Sequence, residues 1–301
     1  MYERYYGLNE RPFDLTPNPR YLFLSTKHRE ALSHLQYGIS GRKGITLLIG
    51  DAGTGKTTLV HAALAQQGDK AASVYLSNPM LTRSEFFEFL TWGFGLHPAA
   101  EASKTRFLLE LTRTLTERHA EGRTSALIID EAQCLPQELL EEIRLLANIE
   151  TAVDKLLPVL LVGQPELADR INEPSLRQLK QRVALRCVLP SLDAAETAAY
   201  ISNRVSVAGG HGDQLFTSAA IDTIFEYAHG IPRTISVICD NSLVSGFAAD
   251  ERPVGRQTVL EVCRDFDLRP SAPVPAAPPA IVSPLAPGVV SVPAPRDSSF
   301  F

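Results

Sequence analysis

The sequence predicts an α/β fold: a parallel sheet built around a phosphate-binding loop, then a small all-helical domain and a disordered tail. Three observations predict it. The apolar run Ile45–Ile49 leads directly into Gly50-Asp51-Ala52-Gly53-Thr54-Gly55-Lys56-Thr57-Thr58 and a helical run. A second apolar run, Ala126–Ile129, ends in Asp130-Glu131. Strand signals then stop at Ser191, and from Pro270 the composition shifts again, to Pro, Ala and Val.

The first stretch reads G-x-x-x-x-G-K-T between a strand and a helix, the context that this motif requires. Glycines at 50, 53 and 55 let the backbone turn tightly and approach a polyphosphate with no Cβ in the way. The N–H groups of the loop, from Asp51 to Thr58, then face the anion together with the helix N-terminus. Lys56 reaches the β- and γ-phosphates of a bound nucleotide, and the Thr57 hydroxyl is a ligand for Mg²⁺. In the second stretch the acids stand at a strand's carboxyl end, over the crevice where ligands bind in parallel α/β sheets. Asp130 is the candidate Mg²⁺ ligand, directly or through water, and Glu131 the candidate general base. ATP and Mg²⁺ are the implied cofactors.

Composition narrows the remaining classes. The 301 residues are 45% hydrophobic and 21% charged, with a net charge of -5. That is an ordinary globular balance without a global basic field to draw the chain to nucleic acid or anionic lipid. The four cysteines, Cys134, Cys187, Cys239 and Cys263, form no CxxC pair, which predicts thiols packed in a reducing compartment and no zinc site. No apolar run is long enough to span a bilayer, and the first residues lack the apolar core of a signal peptide, so the cytoplasm is expected.

Taken in order, residues 1–43 are predicted as an N-terminal arm and helix packed on the core. The arm, through residue 24, is rich in aromatics and prolines and is expected to be extended. Pro12-Phe13 is a candidate wall for the nucleotide base. Ser25 is the expected N-cap of a helix carrying Ala31, Leu32, Leu35 and Ile39. Residues 44–190 are the expected nucleotide-binding core. Ser73–Leu76 reads as a strand, and Thr82 with Glu85 as a capping box opening a helix with Phe86, Phe87, Leu90 and Phe94, ended by Gly93, Gly95 and Pro98. Helical patterns follow over 105–119 and 136–149. Leu156–Val162 is another apolar strand, which leaves Gln164 at its end, either orienting water near the γ-phosphate or making a turn. Arg177, Lys180, Arg182 and Arg186 form a basic run, and Cys187–Leu189 reads as a fifth strand. Residues 191–268 show four helical periodicities separated by Gly and Pro. There Pro232 suits a first helical turn, and Arg233 projects beside it. Nine of the 21 prolines fall after residue 269, so residues 269–301 are expected to be a disordered Pro/Ala-rich tail.

These motifs, in order, resemble the AAA+ ATPases of the ExeA/GspA type, associated with secretion and exopolysaccharide-locus systems and akin to the MuB and TniB transposition ATPases. The matching pieces are Tyr6-Gly-Leu8, Pro12-Phe13, Pro17-Asn-Pro19, Phe23-Leu-Ser25, the loop from Gly50 to Thr57, Ile129–Gln133, Val162–Leu167, Leu179–Arg182 and Gly230–Arg233. The resemblance implies a P-loop AAA+ core with a five-stranded parallel sheet and a helical lid. It also implies roles: Gln164 as sensor 1, Arg233 as sensor 2, Asn78 as a partner restraining Glu131, and Arg182 as the arginine that one subunit presents to its neighbour's nucleotide, with Arg177 and Arg186 close by. A homo-oligomer acting on a protein partner of a secretion or polysaccharide-export system is expected, cytoplasmic or held at the inner membrane by that partner. The alternative is an ATP-dependent DNA-binding regulator of the MuB/TniB kind, with the basic run as its patch. A GTPase is disfavoured because N-K-x-D is absent.

Overall fold

A strand order of β2-β3-β4-β1-β5 in a wholly parallel five-stranded sheet brings the carboxyl ends of β3, β4 and β1 side by side. The computed structural model describes residues 1–16, 18–68, 71–211 and 214–270. The expected tail lies almost wholly outside the described residues. The strands are β1 Ile45–Ile49, β2 Ala71–Leu76, β3 Thr124–Ile129, β4 Val159–Gly163 and β5 Val183–Val188. The helices are α1 Tyr2–Tyr6, α2 Thr26–Ser40, α3 Lys56–Ala65, α4 Arg83–Phe94, α5 Lys104–Ala120, α6 Gln137–Leu146, α7 Pro165–Asn172, α8 Arg177–Lys180, α9 Ala194–Val207, α10 Ser218–Ala228, α11 Pro232–Ala248 and α12 Arg256–Asp265.

The central strands are apolar on both faces because both are covered. Alternation sorts their side chains between two clusters. Ile45, Leu47, Leu127, Ile129, Val159 and Leu161 point to the side of α4 to α7. Leu48, Ile128, Leu160 and Val162 point to the side of α2 and α3. Ser25 caps α2 by accepting from the His28 N–H, and Ala31, Leu32, Leu35 and Ile39 are buried as the spacing predicts. Thr82 and Glu85 make the full capping box of α4. Gly93 does not end α4; the helix runs to Phe94, and Gly95 closes it in the left-handed conformation at φ 65°. Gly93 is inside because α4 packs tightly on β2: a Cβ there would lie 2.7 Å from Val74 Cγ1. β5 starts at Val183, earlier than the sequence suggested, because the edge strand's outward residues Ala184, Arg186 and Val188 are exposed and leave only half an apolar pattern.

The arm departs furthest from expectation. Residues 2–6 are helical, closed by Gly7 at φ 73°, since the first proline comes only at Pro12. Of its described residues, Leu24 alone packs on the cluster that covers the sheet; the large aromatics go elsewhere. Tyr2, Tyr6, Leu8, Phe13 and Tyr21 are buried in a separate cluster with residues of α9 to α12. A buried tyrosine needs a partner for its hydroxyl as well as apolar surroundings, and this cluster supplies both. Tyr2 donates to Asp240, and Tyr6 to the Glu251 carbonyl at 3.1 Å. Phe13 is 1% exposed and meets Phe216 edge-on at 6.2 Å between ring centres. Phe13→Ala is therefore expected to cost about 3–5 kcal/mol of stability, measured by denaturant unfolding. A loss under about 1 kcal/mol would mean that the arm is not part of this core.

Candidate active site

β1 ends at Ile49, and the chain turns through Gly53 (φ 81°) and Gly55 (φ 95°) into α3. No side chain caps α3, so its first N–H groups face the cleft unclaimed. Gly50 is anchored to the neighbouring strand by donating to the Gly163 carbonyl at 3.1 Å. Gly53 lies so close to α11 that a Cβ would stand 2.9 Å from Arg233 Cβ. The Thr54 hydroxyl is spent within the loop, donating to the Asp51 carbonyl at 2.9 Å. Lys56 is buried and folds back on the loop, Nζ donating to the carbonyls of Gly50 at 2.8 Å and Asp51 at 2.9 Å. Burial pushes its pKa down, against the opposing pull of Glu131 and Asp130. Behind the loop, His28 donates from Nε2 to the Thr54 carbonyl at 3.4 Å, which leaves Nδ1 to accept from Ser25 Oγ at 2.9 Å. Burial lowers the His28 pKa, in keeping with a neutral ring.

The two acids that follow β3 stand beside this loop. Asp130 is 5% exposed and accepts three hydrogen bonds. Thr57 Oγ1 donates to its Oδ2 at 2.7 Å, Tyr75 Oη to the same oxygen at 2.6 Å, and the Glu131 N–H to Oδ1 at 2.9 Å. Tyr75 comes from β2, and burial together with Asp130 raises its pKa, so it stays a donor. A hydroxyl and a carboxylate within hydrogen-bond distance are a hard-oxygen pair. They fit Mg²⁺, which takes one or two protein ligands and otherwise binds phosphate and water. Among the described residues no cluster of three or more His, Cys, Asp or Glu offers an all-protein metal site.

Glu131 takes a left-handed backbone, φ 51°. Its Oε2 accepts from Gln133 Nε2 at 2.5 Å and from Gln164 Nε2 at 3.3 Å. Gln164, at the end of β4, thus meets Glu131, a contact that its strand position alone did not name. Asn78 does not: it is exposed, and its Oδ1 accepts from the Met80 N–H at 3.3 Å in a local turn. A short side chain after β2 finds its nearest donor in its own backbone, and the contacts of Glu131 go to Gln133 and Gln164 instead. Gln133 and Tyr75 were not singled out from the sequence. A glutamine after Asp-Glu-Ala and a tyrosine inside a strand carry no local signal: the turn after β3 brings Gln133 back to Glu131, and strand order brings Tyr75 to Asp130.

The cleft over the loop has a volume of about 390 Å³. Gly53, Gly55, Lys56, Thr57, Thr58 and Glu131 line one side, Arg233 and Ser236 the opposite one, and Asp14, Leu15, Thr16, Asn18 and Tyr21 of the arm part of its rim. A smaller apolar recess opens beside it, with Leu22, Phe23, His28, Leu59 and Pro232 in its wall. Pro12 and Phe13 do not wall this space. Phe13 is in the core, and Pro12 is buried with its carbonyl accepting from Arg204 Nε. The physical reason is the pull of the Phe216 cluster, which leaves the following residues to reach the cleft. Arg204 of α9 holds them there, donating to the Asp14 carbonyl at 3.0 Å and to Tyr200 Oη at 2.9 Å, and lying 4.8 Å over the Tyr21 ring.

Arg182 is elsewhere. It precedes β5, whose first residue pairs with Ile45, so it marks the amino edge of the sheet. The phosphate loop follows the other end of β1, about 16 Å away at the ordinary rise of a strand. Arg177, Lys180 and Arg186 are exposed with it, and none of the four makes an ion pair among the described residues.

Comparison with known proteins agrees with this geometry. The AAA domain family matches residues 39–171. General secretion pathway protein A of Aeromonas hydrophila is 41% identical over 249 residues, which are 82% of this chain and 45% of the relative. The chain thus spans about half the length of the curated relative it matches. Among solved structures, the ORC2 protein of Aeropyrum pernix with ADPNP and ADP superposes with a TM-score of 0.62 at 18% identity, over 85% of this chain and 72% of that one. Cdc6p of Pyrobaculum aerophilum gives 0.63 at 16%, over 84% and 70%. The RuvB motor of Thermotoga maritima gives 0.52 at 19%, over 81% and 70%. At these identities the likeness to solved structures is one of fold, the P-loop AAA type. No helix of the described residues is long and apolar enough to cross a membrane.

Proposed function

For this chain, which belongs to the AAA+ proteins of the general secretion pathway protein A type, we propose an ATP-driven switch that binds Mg·ATP, hydrolyses it and acts on a protein partner. The observation that carries this reading is the Thr57–Asp130 hydrogen bond of 2.7 Å with Glu131 next in the chain. It supports the reading by bringing the candidate metal ligands, the candidate base and the glycine-rich loop to one edge of the sheet. Residues 44–190 act as the nucleotide core in this reading, and residues 191–268 as the lid that carries Arg233. Mg²⁺ supplies charge neutralisation between the phosphates when bound. The loop N–H groups and Lys56 orient the phosphates, Gln164 and Glu131 position a water, and Glu131 takes its proton. Arg182 points to assembly: on the amino edge it serves only a neighbouring subunit. The likeness to general secretion pathway protein A supports a role in secretion; in this reading the chain is a homo-oligomer serving secretion or polysaccharide export, cytoplasmic or brought to the inner membrane by its partner.

Lys56→Ala tests the reading at its base. Removing the cation that faces the phosphates is expected to weaken ATP binding beyond detection in a fluorescent-nucleotide titration, because charge-assisted contacts dominate there. Unchanged affinity would move the nucleotide elsewhere.

The exposed run Arg177, Lys180, Arg182 and Arg186 supports a second reading, ATP-controlled binding to DNA. Binding to a duplex through these cations should weaken steeply between 50 and 200 mM salt and on Lys180→Ala. Gel-shift titration with and without ATP decides it, and no shift at about 150 mM salt leaves protein remodelling in place.

A further inference from the structure

We propose that Gln133 is the residue that positions Glu131 for catalysis, in the place that the family resemblance gives to Asn78. The proposal rests on the hydrolytic reading above. Four observations converge on it. Gln133 Nε2 donates to Glu131 Oε2 at 2.5 Å. Gln133 Oε1 accepts from the Gln164 backbone N–H at 3.1 Å, and Gln164 Nε2 returns to the same Glu131 oxygen at 3.3 Å. The three residues thus close a ring across the ends of β3 and β4. Second, the ring leaves the amide one orientation. A backbone N–H only donates and an ionised carboxylate only accepts, so a flipped Gln133 would lose both bonds. Third, the position has room for it: a Cβ at Gly163 would stand 2.7 Å from Gln133 Oε1, as well as 2.8 Å from Leu167 Cδ2. Fourth, Arg170 of α7 pins the main chain, donating to the carbonyls of Gln133 at 2.5 Å and Leu135 at 2.8 Å.

The consequence is chemical. Two amide donors on Oε2 fix the carboxylate plane and leave Oε1 as the oxygen free to accept a proton from water. Without Gln133, Glu131 rotates more freely about χ3, and the fraction of time it spends aimed at water falls.

Gln133→Leu has similar volume and no donor. Its kcat is expected to fall roughly ten- to hundred-fold, the value of a hydrogen bond to a charged group, while ATP affinity and the melting temperature with ATP stay at wild-type values. A merely structural role would move all three. The same change in a Glu131→Gln background gives a second measure: once the base is gone, losing Gln133 should lower the residual rate less than twofold, because residues that act as a unit are not additive. Wild-type turnover with an unchanged or raised rate in Gln133→Leu overturns this proposal alone. A wild-type protein that binds ATP but never turns over overturns the hydrolytic reading and the proposal together.

Discussion

Arg182→Ala should bind ATP as tightly as the wild type and hydrolyse it about 10³-fold more slowly or worse, the range of arginines that complete phosphoryl-transfer sites. The site at the carboxyl edge holds Lys56 and Arg233, but phosphoryl transfer spreads charge over the γ-phosphate oxygens, and a further cation there contributes a large part of the rate. Arg182 is exposed at the opposite edge of the sheet, so on the proposed reading it would act on a second copy. Specific activity of the wild type is accordingly expected to rise with protein concentration. Mixing gives the sharper measurement. Arg182→Ala and Lys56→Ala subunits, each inactive alone, form junctions that pair an intact loop with an intact arginine, and activity should return. If Arg182→Ala keeps full activity at every concentration, Arg177 and Arg186 become the substitutions to make.

Glu131→Gln is expected to keep ATP and Mg²⁺ bound while turnover drops roughly 10²–10⁴-fold, since an amide cannot take the proton from water. The substitution is nearly isosteric, and Asp130 keeps its bonds from Thr57 and Tyr75, so the metal pair is left in place. Single-turnover phosphate release with nucleotide binding measured in parallel separates the two effects. Wild-type turnover would take the role of base away from Glu131.

Local chemistry was legible in the sequence wherever one segment carries it. The loop from Gly50 to Thr58, the capping box of Thr82 and Glu85, and the apolar stripe of α2 are each written within a few residues. What depends on strand order was not. Gln133 meets Gln164 across 31 residues and Tyr75 meets Asp130 across 55, and no periodicity marks either pair. Asn78 shows the reverse error: the family resemblance implied a contact with Glu131, whereas its short side chain is spent on the next turn. The arm was misread for a third reason. Aromatic and proline-rich composition describes a preference for packing on something, not which surface offers hydroxyl partners.

The arm's hydroxyl bonds also set a timetable for synthesis. Tyr2 and its partner Asp240 are 238 residues apart, so on a ribosome the tyrosine waits roughly ten to fifty seconds for the aspartate to be made. Through that interval Tyr2, Tyr6 and Phe13 have no core to enter, whatever precedes them in the chain. Strand β1 waits as well, because it pairs with β4 and β5, both made more than a hundred residues later. Such long-range pairing slows folding, and a nascent chain with bare aromatic residues is a natural client for chaperones. Ribosome-bound chains stalled before α11 should therefore be protease-sensitive across the arm, and chains stalled after α12 has cleared the tunnel should be protected there.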